Sequence, residues 1–102
     1  MADFTKAGLD RGNIEQELKN TLTSIKMLIR ACKATIEDLT PEEIEFDLKQ
    51  YELLYEREIS PLLKRAKEDE RKIVSQLSEE LQSSFEMLIG ILKDGIEKRN
   101  SS

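Results

Sequence analysis

Leu39-Thr40-Pro41-Glu42-Glu43 is the stretch that decides how this chain folds. Thr40 suits a helix N-cap, because its hydroxyl can accept a hydrogen bond from a first-turn backbone N–H. Pro41 suits the first helical position, where its missing N–H has no partner to lose and its φ is already helical. Glu43 stands three residues after Thr40 and completes a capping box. The proline also acts upstream. Its ring disfavours the α conformation at Thr40, so a preceding helix must stop by about Leu39. One helix therefore ends and another begins within a few residues, and short helix–helix links make antiparallel neighbours.

Upstream, Leu18, Leu22, Ile25, Ile29, Cys32, Ile36 and Leu39 recur at spacings of 4, 3, 4, 3, 4 and 3. That is a heptad-like helical seam, and no strand has such a period. The spacing predicts a helix over 13–39, capped by Asn13, with Gln16 at the capping-box position and Glu15 and Glu17 favouring the positive helix end. Residues 1–12 contain Gly8 and Gly12 and show no periodicity. They read as a flexible lead.

Downstream, Ile44, Leu48, Tyr51, Tyr55, Ile59, Leu62 and Ala66 share one helical face, interrupted at Pro61. Two readings compete there. In one, the second helix kinks at Pro61 and runs to about Ala66, a turn occupies 67–70, and a third helix covers 71–99. In the other, Ser60 caps a new helix that continues unbroken to Arg99. The first is preferred, because it makes three rods of nearly equal length that bury each other's faces throughout. In addition, Ala66 is the one apolar residue between Lys64 and Lys72, too little to pack along a bundle. Against it, 67–70 holds no Gly, Pro or Asn to mark a turn. On the third helix, Val74, Leu77, Leu81, Phe85, Leu88, Leu92 and Ile96 form the seam. Gly95 on that face would allow close helix approach, and Gly90 lies opposite. Residues 100–102 read as a disordered tail. The expected fold is all-α: an antiparallel three-helix bundle kinked at Pro61, with seams that would also suit coiled-coil-like self-association.

Composition sets outer limits. The 102 residues fit one domain, and 36% of them are charged. The net charge of −5 argues against nucleic acid as the main ligand, since the phosphate backbone would repel the surface as a whole. The basic run Lys64-Arg65-Ala66-Lys67 is followed at once by Glu68, Asp69 and Glu70, which reads as a solvated face. Cys32 is the lone cysteine. It sits at an apolar helical position, where a thiol acts as a small hydrophobe, and it fits a reducing compartment. The first twelve residues hold no apolar secretory core. The longest apolar stretch, Phe85–Leu92, contains Glu86 and falls far short of the roughly 20 residues a membrane span needs. An intracellular location, cytoplasmic or nuclear, follows as the expectation.

Chemistry is hard to place on this chain. Histidine is absent, which removes the commonest general base and the Ser-His-Asp triad. One cysteine cannot build a structural zinc site, and no Gly-rich phosphate loop occurs. Glu42, Glu43, Glu45 and Asp47 cluster, but capping and solvation account for them. No catalytic residue, cofactor or metal is expected.

What remains is apolar surface that a bundle does not need. A bundle helix needs an apolar stripe a little over 100° wide. At about 100° per residue, Phe46 and Leu53 point opposite the seam of the second helix, seven apart on one outer line. On the third helix Met87 and Ile89 flank the seam and Ile91 widens it, so the apolar arc reaches about 200°. Met27 faces outward on the first helix. Isolated surface hydrophobes are common, but joined ones form a patch for a partner helix or a second copy of the chain. The third helix is the preferred location, since its excess is contiguous and Met adapts to varied partners.

The leading expectation is a non-catalytic protein–protein interaction module, an assembly subunit or adaptor that binds a partner helix or its own copy. The alternative is a small helical chaperone or cofactor for a larger client. With Asp47-Leu48-Lys49-Gln50 upstream of Pro61 in the second helix, the plan resembles the tubulin-binding cofactor A family. That resemblance implies a three-helix client-binding protein and assigns no role to any residue here. A third option places nucleic acid or an acidic membrane on Lys64, Arg65, Lys67, Arg71 and Lys72 at one tip of the bundle.

Overall fold

The computed structural model describes the backbone of residues 2–101 and the side chains of 14–99. It is all-helical and bundle-like. Helix α1 spans Ala2–Thr35 and tightens into a 3₁₀ turn at Ile36–Asp38. Helix α2 spans Pro41–Leu54, a π-helical turn follows at Tyr55–Ile59, and α3 continues from Ser60 to Lys67. Helix α4 spans Lys72–Ser101.

The link at Thr40 follows its chemistry. Leu39 and Thr40 are extended, with ψ of 142° and 159°, as a residue preceding proline prefers. The Thr40 hydroxyl accepts from the Glu43 N–H at 3.2 Å, and the Glu43 carboxylate accepts from the Thr40 N–H at 3.0 Å. Two otherwise unpartnered donors are thereby satisfied. At the other side of the link, the Arg99 guanidinium donates to the Ile36 and Glu37 carbonyls, closing the end of α1 with a cation where the helix dipole favours one.

The sequence expectations need four corrections. The flexible lead over 1–12 is helical backbone from Ala2, so Asn13 lies inside α1 and not at its start. Once a helix exists, each added residue gains a hydrogen bond at low cost, and Gly8 and Gly12 cost only about 1 kcal/mol each relative to Ala. Gln16 accordingly hydrogen-bonds Asn20, and Glu15 pairs with Lys19, instead of capping. The seam also starts one turn earlier, at buried Ile14. Second, the helices are unequal: α1 has 34 residues and α4 has 30. Third, the irregularity associated with Pro61 lies ahead of it. The Ser60 N–H reaches back five residues to the Tyr55 carbonyl, and this wider turn relieves the contact between the Pro61 ring and the carbonyl of Arg57. The chain stays helical through Pro61 and does not break. Fourth, α4 runs through Asn100 to Ser101, where a tail was expected.

The turn after α3 is made by Asp69. Its carboxylate accepts from the Arg71 backbone N–H at 3.0 Å and from the Arg71 guanidinium at 2.9 Å, the local turn that aspartate favours. The core is one cluster running the length of the molecule. Leu18, Ile25, Ile44, Ile59, Leu81, Leu88 and Leu92 are almost fully buried, Leu22 is buried, and Tyr51 is half-buried against them. Across α1 and α4 the numbering climbs together, Glu15 meeting Arg71, Lys26 meeting Glu80 and Ile36 meeting Gly95. Between α2 and α4 it runs the other way: Ile44 sits near Gly95, while Tyr55 stacks obliquely on Phe85 at 4.9 Å and donates to Gln82 at 2.8 Å. The molecule is elongated, with extents of 59 × 25 × 20 Å.

Candidate functional site: the outer helix faces

The six apolar residues read as surplus divide into two sets. Met27, Phe46, Leu53 and Met87 are exposed, at 64%, 62%, 41% and 54%. Ile89 and Ile91 are half-buried and pack against the core. The exposed apolar surface of α4 is therefore narrower than the arc expected for it. Ile89 and Ile91 lie two residues apart, about 160° apart on the helix at its standard rotation, and each is drawn into the packing on its own flank. Only Met87 of the three is exposed. Sequence periodicity missed Ile73, which is 40% exposed on the flank of α4 shared by Met87. Fourteen residues and the Lys26–Glu80 ion pair, at 2.7 Å, separate the two.

Helix α2 retains its pair. Phe46 and Leu53 are two helical turns apart on one outward line, about 10.5 Å along the axis. A shallow hollow beside Phe46 is lined by Leu39, Glu42, Glu43 and Asp47. Ile44, Leu48, Tyr51 and Leu54 carry the inward side of α2, so the bundle's packing leaves the outer line unused. This is the face where apolar and charged groups are interleaved on a rigid helix.

The basic tip is compensated in part. Arg65 pairs with Glu17 at 2.9 Å, and Arg71 pairs with Asp69 at 2.9 Å and reaches Glu15 at 3.7 Å. Lys64, Lys67 and Lys72 are exposed, with Glu68 and Glu70 between them in the chain. The open groove between α3 and the first half of α4 is polar, with Tyr55, Ser60, Ser75, Ser78 and Gln82 on its walls. The Ser78 hydroxyl donates back to the Val74 carbonyl. Cys32 is buried beside Asp47 and Tyr51. Burial first, and the Asp47 charge second, push its thiol above the ordinary range. Among the described residues no three His, Cys, Asp or Glu side chains gather as a metal-ligand set, and no helix is long and apolar enough to cross a membrane.

No protein-family model, curated protein or solved structure matches this chain.

Proposed function

We propose that the chain is an antiparallel three-helix bundle acting as a non-catalytic, intracellular protein–protein interaction module, and that the outer face of α2 is its docking surface. The observation that carries this reading is the Phe46–Leu53 line. These two large apolar side chains stand in solvent on one helix face while the core is closed without them. Exposed apolar groups that join into one surface rimmed by polar residues mark interaction sites. The rise and fall of residue numbers across the helix pairs supports the topology. The short capped link at Thr40 and the Asp69 turn support it too, since both reverse the chain within a few residues.

Photo-crosslinking tests the reading. A benzoylphenylalanine placed at Phe46 or Leu53 in living cells is expected to give a discrete adduct, and one at Lys93 or Met87 none. Equal adducts from Lys93, or none from any position, would overturn the assignment of α2.

A further inference from the structure

We infer that the outer face of α2 receives a basic amphipathic helix of another protein. The inference rests on the docking-face reading and adds the chemistry of the occupant. Residues 41–59 hold seven Asp and Glu against two Lys and Arg, a net charge of −5, equal to that of the whole chain. The remaining residues carry fourteen of each sign. The acidity of the molecule is thus concentrated on α2 and the π turn that continues it.

It also forms no ion pair there. Glu15, Glu17, Glu80 and Asp94, on α1 and α4, are each held by a Lys or Arg of the same chain. Glu42, Glu45 and Glu56 are exposed and enter no such pair. At about 100° per residue Glu42 and Glu45 of α2 and Glu56 of the π turn flank the Phe46–Leu53 line, with Lys49 and Arg57 on the same face, so the acidic groups there outnumber the basic ones without being alone. An occupant that fits must offer apolar groups at a matching two-turn spacing and cations beside them.

A second copy is a poor candidate, because outside 41–59 it brings fourteen charges of each sign and so no net positive charge to meet the acidic face. A strand is a poor one too, since the face is a helix ridge that packs best into the grooves of another helix.

The test measures fluorescence anisotropy of a labelled helical peptide of about 18 residues, some five turns, added to the whole chain. The probe carries Leu seven apart flanked by Lys and Arg. One companion replaces the cations by Glu, and another replaces the leucines by Ser. The basic amphipathic probe is expected to bind at least about tenfold more tightly than either companion, and the preference to shrink with salt. Phe46→Ser with Leu53→Ser should weaken it about tenfold. The triple variant Glu42→Lys, Glu45→Lys, Glu56→Lys, with circular dichroism to verify folding, should favour the acidic companion. Equal binding of basic and acidic probes overturns the inference and leaves the docking face standing. So does failure of every probe while crosslinking from Phe46 persists. A crosslinked adduct of twice the chain's mass overturns it in favour of a second copy. Loss of both crosslinks and probe binding removes both readings.

Discussion

Gly90 and Gly95 lie five residues apart on α4 and predict opposite outcomes for the same substitution. A Cβ at Gly90 meets nothing within 4 Å. Gly90→Ala should therefore raise stability by about 1 kcal/mol through helix propensity alone. A Cβ at Gly95 would stand 2.8 Å from Ile36 Cγ1. The same gain in propensity is there outweighed by displacing Ile36, and Gly95→Ala should lose about 1–2 kcal/mol. Urea unfolding of the two variants checks the pair. Leu81, fully buried at the centre of the seam, should cost about 2–5 kcal/mol as Ala. The position of both glycines on the helical wheel was legible in the sequence. That the Gly95 approach is made to Ile36 was not, because periodicity assigns faces and leaves contacts open.

At the scale of elements, the Thr40 cap sets the entry to α2. Thr40→Ala should cost about 1 kcal/mol by chemical denaturation. The hydrogen bonds from Thr40 hold the Glu43 carboxyl below its ordinary value of 4.5. A carboxyl lowered by folding stabilises the native state fully above that ordinary value, and the contribution fades as pH falls through the lowered one. Acidification should therefore weaken the link at Thr40, and Thr40→Ala should reduce that acid-side loss. The π turn at Tyr55–Ile59 should exchange its amide hydrogens faster than the central turns of α1 and α4, because its bonding is less regular. The cap was readable because Thr, Pro and Glu act locally at fixed spacings. The π turn was not, since Pro61 announces an irregularity without fixing which turn absorbs it. The reversal over 67–70 was read from the want of apolar residues there, but the residue that makes it was not, since the Asp69 side chain alone makes the turn that Gly, Pro or Asn would otherwise signal. The start of α1 was misplaced because a good capping residue, Asn13, can equally stand inside a helix.

As a whole, the molecule is a rod. Its radius of gyration is 16.4 Å, against about 13 Å for a round domain of this size. A rod of long helices has much outer surface for its core, so the seams of the sequence locate the buried side well and the outer side poorly. Ile89 and Ile91 show the limit. Their angles suggest surface, but a neighbouring helix on each flank of α4 draws them partly inward. Phe46 and Leu53 escape this because they lie directly opposite the α2 seam. Amide-resolved NMR titration of the intact chain with the basic amphipathic peptide tests the central claim most directly. Shifts confined to the outward positions of Glu42–Arg57, with α4 around Met87 unmoved, are predicted. Shifts centred on Met27 or Met87, or none on α2, would contradict it.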